Sequence, residues 1–230
     1  LSVTTGAVDP QVARTKYDRE VANLSRDAAR HRSLGVFLLA ADYPTVLVGF
    51  ASPKLKPAAF IFAMHVDYAD YDLQAPSVRF VDPFTSVPYK ASELPTKMMR
   101  TVGPPRPAPM PFPPEVPAQT PLPGPPGQPP PFAAPDAPQT PMGGFMIVEH
   151  QPLLQDYGPE DIPFLCLPGV REYHDHPAHS GDPWELHRTT GAGSLARLVD
   201  VVRTYAVEPL GGWAVQLTPQ ISLGYGEPPL

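Results

Sequence analysis

Cys166 to His187 reads CLPGVREYHDHPAHSGDPWELH and gathers the chain's single cysteine, four of its seven histidines and several carboxylates into one short run. Thiolate, imidazole and carboxylate are the donors that hold a borderline-soft metal ion, so metal ligation is the first chemistry these types offer. Within Glu172-Tyr173-His174-Asp175-His176 the ligand types alternate. If the segment is extended, Glu172, His174 and His176 share one side and stand roughly 6 to 7 Å apart, near enough to bend onto one ion. Pro168-Gly169 offers a tight turn that brings Cys166 across as the fourth ligand.

The expected centre is therefore Cys166, Glu172, His174 and His176 around zinc, at about 2.3 Å for sulfur and about 2.0 to 2.2 Å for nitrogen and oxygen. Another transition metal suits the same donors, whereas calcium and magnesium prefer oxygen throughout. Four ligands closed on the ion make a structural site. Three leave a water in the fourth position, with Glu172 as a general base for hydrolysis. His179 and His187 stand in reserve, His179 as a replacement ligand or an outer hydrogen-bond partner, and Asp175 points to the opposite side of the strand. Against this stands the plainer alternative of an exposed polar turn beside a small buried thiol.

Other elements must position this run. Asp9-Pro10 starts a helix, the aspartate capping free amides and the proline sitting where no amide is needed. Tyr17, Val21, Leu24 and Ala28 then recur at offsets of four, three and four, which predicts an amphipathic helix over about 10–32 that ends near Gly35. Residues 36–40 and 45–50 are β-prone runs around Ala41-Asp42-Tyr43-Pro44 and read as a hairpin; third and fourth strands follow at 59–66 and 77–81. His65, inside an apolar strand, reads as structural. Gly143 to Val148 and Ile162 to Leu167 restore β character before the site. Ser194 caps a helix with Leu195, Leu198, Val199, Val202 and Tyr205 on one face, and Trp213 and Val215 suggest a short final strand. The fold class is α+β: N-terminal helix, antiparallel meander, C-terminal helix.

Of 36 prolines, 18 fall between Pro104 and Pro141. That stretch has no apolar periodicity and suits polyproline segments broken by glycine turns, so 101–143 is expected to be a disordered insertion in a single metal-binding domain spanning 1–230. A net charge of -6 with 17% charged residues leaves no basic surplus for a phosphate backbone or an anionic membrane, which argues against nucleic acid. One cysteine excludes an internal disulfide framework and fits a reducing compartment. The sequence shows neither a signal-peptide pattern nor an apolar run near the roughly 20 residues of a spanning helix, so a cytoplasmic protein is expected.

Tyr71-Asp72-Leu73-Gln74-Ala75-Pro76-Ser77-Val78-Arg79-Phe80 resembles a phrase of ubiquitin-conjugating enzymes. There a tyrosine-proline pair, a second proline and a valine-x-phenylalanine strand follow an N-terminal helix and a meander. Asp72 stands where the first of those prolines would be. Cys166-Leu167-Pro168-Gly169-Val170-Arg171-Glu172-Tyr173-His174-Asp175-His176-Pro177 resembles the signature of the metal-binding family called CEHH, after its cysteine, glutamate and two histidines. Matched residue by residue, these are Cys166, Glu172, His174 and His176, and the likeness extends over about 145–205. That family is placed by gene neighbourhood beside bacterial ubiquitin-like conjugation components, which implies activating enzymes and ubiquitin-like proteins as partners.

The resemblance to conjugating enzymes also implies an alternative, a thioester carrier using Cys166. In those enzymes the cysteine follows a histidine-proline-asparagine motif and lies several residues before a tryptophan. Here no such motif precedes Cys166, and Trp184 is 18 residues on. A third alternative is a non-catalytic adaptor working through the proline-rich insert.

Overall fold

The structure is a computed structural model and describes residues 9–107, 146–212 and 214. Two compact units are present, Leu1–Met99 with Pro152–Leu230, and Arg100–Gln151.

In the larger unit, helix α1 (Pro10–Arg26) begins where the sequence places it, with Asp9 accepting from the Gln11 amide at 2.9 Å. The expected single helix is interrupted at Asp27, and α2 (Ala28–Ser33) continues for six residues. Gly35 then turns the chain at φ +81°, and a Cβ there would lie 1.8 Å from the Ala51 oxygen, so only glycine allows the helix to hand over to the sheet this closely. Strands β1 (Val36–Asp42), β2 (Thr45–Ala51), β3 (Phe60–Asp67) and β4 (Ser77–Val81) form one antiparallel sheet in the order β1-β2-β3-β4. This meander and its flanking helices make the fold α+β.

Alternation along the strands sends Val46, Val48, Phe50, Phe62, Met64, Val66, Val78 and Phe80 to one face, all fully buried. Against them pack Tyr17 and Leu24 of α1 and Leu195, Leu198, Val199 and Val202 of helix α4 (Leu195–Val202). The opposite face carries His65, which pairs with Leu47 and Arg79.

Ser194 occupies the N-cap position of α4 but makes no side-chain cap bond. The cap comes from α1 instead. Glu20, only 5% exposed, accepts from the Leu195 amide through Oε2 at 3.1 Å, while Arg19 lies 3.5 Å from Oε1. A carboxylate against a helix N-terminus is well placed for the free amides and the helix dipole. Glu20→Ala should cost about 1 to 3 kcal/mol in a urea titration, with Glu20→Gln losing less because it keeps an acceptor. An unchanged midpoint in the alanine variant would remove the assigned role.

Beyond β4, Met98 and Leu153 are both buried, and the Leu153 amide donates to the Met98 carbonyl at 2.9 Å. Strands β5 (Met99–Pro107) and β6 (Met146–Pro152) form a separate two-stranded sheet. Residues 101–107, which the composition assigned to the disordered insert, are thus strand. The remainder of that insert, the Gly143-Gly144-Phe145 start of the returning strand, and Trp213 with Val215 lie outside the described residues. Among the described residues, no helix is long and apolar enough to cross a membrane.

Candidate functional site

The site is built beside β4, the last strand of the four-stranded sheet. Strands β7 (Leu154–Gln155) and β8 (Phe164–Leu165) pair antiparallel, and the Cys166 amide extends the ladder by donating to the Leu153 carbonyl at 2.7 Å. Leu165 is fully buried and Cys166, the next residue, is half-buried. The turn after it is fixed by packing. A Cβ on Gly169 would lie 2.0 Å from the Ala192 oxygen and 2.4 Å from its carbonyl carbon, both backbone atoms that cannot swing away. Gly169→Ala should therefore lower the melting temperature by more than an ordinary surface change, by at least the roughly 1 to 3 kcal/mol of an overpacked core. A melting curve matching the parent would show that the backbone yields.

The segment after the turn is not the extended strand that the alternation of ligand types suggests. Arg171–Asp175 forms a short helix, α3, entered from an extended Val170 and closed at His176 before Pro177. The physical reason lies in the partners waiting for Arg171. Its amide donates to the Pro76 carbonyl at 2.9 Å, its Nε to the Ala75 carbonyl at 3.1 Å and its Nη2 to the Ala69 carbonyl at 2.6 Å. These bonds seat the first helical residue on the loop before β4, and the strand edge is covered by a helix.

Helical geometry turns residues two apart by about 200°, so Glu172 and His174 face opposite ways instead of sharing a side. Glu172 points to β4, where its Oε1 accepts from the Ser77 hydroxyl and its Oε2 from the Val78 amide at 3.2 Å. His174 points to the loops: Nε2 lies 2.7 Å from the Pro168 carbonyl and Nδ1 2.8 Å from the Asp182 carbonyl. Both ring nitrogens face oxygens that offer only lone pairs, so neither is turned toward a shared ion. Asp175 is exposed.

His176 accepts from the Ala178 amide through Nδ1 at 3.2 Å, capping a 3₁₀ turn over Pro177–His179, and its ring stacks on Tyr157 at 5.6 Å. His179 is the histidine that reaches the thiol, with Nε2 3.5 Å from Cys166 Sγ. Its ring lies 5.4 Å from that of His176. It stacks almost parallel on Tyr173, centroids 3.9 Å apart.

Tyr173 in turn donates its hydroxyl to Asp182 Oδ2 at 2.7 Å, while Asp182 Oδ1 lies 2.5 Å from His187 Nε2. Burial, then the hydrogen bond and charge of Asp182, push the Tyr173 phenol up to about 12. The hydrogen bonds from His187 and Tyr173 hold the Asp182 carboxyl below its ordinary range. The indole of Trp184 closes the inner side, its Nε1 donating to the Asp72 carbonyl at 2.9 Å beside the Lys16–Asp72 ion pair at 2.5 Å.

Of the expected ligand set, then, Cys166 and His176 lie in one neighbourhood while Glu172 and His174 are directed elsewhere. Among the described residues, no group of three or more histidines, cysteines or carboxylates is arranged to hold a metal ion. As placed, the donors of Cys166, Glu172, His174 and His176 do not fit a four-ligand centre. Tyr173 and Asp182 are the residues that spacing alone passed over. Asp182 sits in Ser180-Gly181-Asp182-Pro183, which reads only as a turn, and Tyr173 looks like filler between two ligand types; helical geometry over 171–175 is the signal that would have brought them forward.

A family model described as Y4jH-like, the Y4jH family, matches residues 8–116 and 126–210. The chain is also 39% identical over 223 residues to a protein of Sinorhizobium fredii called "Uncharacterized protein y4jH", covering 94% of this chain and 92% of that one.

Proposed function

The chain belongs to the Y4jH family, and from the Cys166–His179 contact within it we propose that it is a thiol acyl carrier that takes an activated carboxyl group onto Cys166. The 3.5 Å approach of His179 Nε2 to Cys166 Sγ is the observation that carries this reading. A neighbour that accepts its proton makes a thiol a better nucleophile, and imidazole at that position can do so. In the transfer, Cys166 Sγ attacks the carbonyl carbon of a donor thioester, and a new carbon–sulfur bond forms. The donor's carbon–sulfur bond breaks, and the proton passed from Cys166 to His179 is returned to the departing sulfur. No electrons are gained or lost, and no further reactant is consumed.

The resemblance to conjugating enzymes supplies the acyl group and the partners: the C-terminal carboxyl of a ubiquitin-like protein, delivered by an activating enzyme. The helix, the four-strand meander and the tryptophan packed beside the phrase at Tyr71 support it. The wide gap between Cys166 and Trp184 departs from those enzymes. It is filled by α3 and the 3₁₀ turn that brings His179 to the sulfur.

A second reading, a zinc site of the CEHH type that takes Cys166 and His179 as a first pair of ligands and needs other donors to move onto the ion, since no group of three is arranged for one among the described residues, is favoured by one distance. Zinc bonds of about 2.3 Å to sulfur and about 2.0 Å to nitrogen at a tetrahedral angle put the two donors about 3.5 Å apart.

One experiment separates the readings. Protein purified without added metal is divided between elemental analysis and incubation with a small alkyl thioester followed by intact-mass measurement. The carrier reading expects zinc-free protein that gains one acyl group on Cys166 and loses it to excess thiol. Stoichiometric zinc with acylation only after chelation would establish the metal site instead. Neither zinc nor acylation would end both readings.

A further inference from the structure

We propose that Glu172 and His174 are positioning residues: they clamp α3 so that Tyr173 holds the His179 ring against Cys166. This rests on the reading of Cys166 as a reacting thiol served by His179.

A five-residue helix has too few internal hydrogen bonds to persist unaided. Arg171 seats the first residue of α3 on the Pro76, Ala75 and Ala69 carbonyls, and two further side chains hold the residues that follow, one on each side. Glu172 fixes it to the sheet through Ser77 and Val78. His174 fixes it to the loops by donating a ring N–H to the Pro168 or the Asp182 carbonyl, according to its tautomer. Tyr173 stands between these two anchors, which fix the backbone that carries it, and its own hydroxyl is held by Asp182. The stacked ring beside it belongs to His179, which is not part of α3 and arrives from the 3₁₀ turn beyond.

The contacts close into a circuit. Pro168, two residues after Cys166, and Asp182 place their carbonyls on either side of the His174 ring. Asp182 accepts from the Tyr173 hydroxyl, Tyr173 carries the His179 ring, and His179 returns to the Cys166 sulfur. Nothing in the circuit requires Glu172 or His174 to touch the acyl group. Their effect runs through the His179–Cys166 distance, and displacements on the order of 1 Å are enough to change rates about a hundredfold.

The test is the rate of Cys166 acylation by a small alkyl thioester in folded variants of the full chain. Glu172→Ala and His174→Ala should each slow it about tenfold or more, and Glu172→Gln, which keeps an acceptor oxygen, should recover most of the loss. The double variant Glu172→Ala, His179→Ala should be no slower than His179→Ala alone, because the carboxylate acts only through that histidine. Should Glu172→Ala fail to fold, Ser77→Ala weakens the same anchor and should slow acylation in the same direction. A parent rate that depends on His179 but is unchanged in folded Glu172→Ala, or in folded Ser77→Ala, overturns the positioning role alone. Independent, multiplying losses in the double variant overturn it as well. A parent rate that does not depend on His179 removes the reading of the site, and the positioning role falls with it.

Discussion

His179→Ala should lower the rate at which Cys166 takes an acyl group from a small thioester by about a hundredfold, the lower end of what a positioned proton acceptor contributes. The lower end is expected because sulfur is a strong nucleophile even without help, a few per cent of a free thiol being ionised at neutral pH. Geometry makes the assignment specific. Of the four histidines in the segment, His174 has both nitrogens on backbone carbonyls, His176 is turned to the Ala178 amide and the Tyr157 ring, and His187 is spent on Asp182. His179 places its Nε2 3.5 Å from the thiol sulfur. His65→Ala, on the outer face of the sheet, should leave the rate unchanged, and Cys166→Ala should abolish the adduct. Equal rates in parent and His179→Ala, with both proteins folded, would remove imidazole assistance from the account.

Trp184→Ala should destabilise the fold by about 3 to 5 kcal/mol, the range for deleting a buried aromatic ring. The indole is 5% exposed and lies against Tyr71, and its far edge comes within 3.0 Å of where a Gly193 Cβ would stand. Its removal opens a cavity between the sheet, the loop after Tyr71 and the chain entering α4. It also strips the Asp72 carbonyl of its donor. Because His174 packs edge-on against the same indole, the anchored loop carrying His179 should loosen with it. Urea denaturation reads the stability, and the slope should stay constant if the change is in the native state alone. A loss below about 1 kcal/mol would mean that the neighbours collapse into the gap.

The parts of this fold that were legible in the sequence are those in which apolar periodicity reports burial directly. Tyr17 and Leu24 at helical offsets, and the β-prone runs at 45–50, 59–66 and 77–81, became the two faces of the core because burial decided them locally. The segment at 172–176 misled because its alternation is one of ligand types, which carries no conformational preference of its own. Carbonyls of Ala69, Ala75 and Pro76, about a hundred residues earlier in the chain, decide that it is helical by capturing Arg171. The same holds for the α4 cap, where Ser194 has the right chemistry but Glu20 arrives from α1. The thiol's partner was a reserve in the sequence reading for a related reason. His179 reaches Cys166 only because Pro177 starts a 3₁₀ turn, and neighbouring His-x-His spacing gives no hint of it.

The bond between Met98 and Leu153 has a consequence for how this protein can vary. Everything from Arg100 to Gln151 leaves the larger unit and returns to it at two buried residues already joined by one backbone hydrogen bond. A connection that starts and ends at a closed gate makes little demand on its own length, since doubling a loop costs only about 0.6 kcal/mol. Moderate changes in the length of this excursion should therefore cost little stability and leave the register of the strand that presents Cys166 intact.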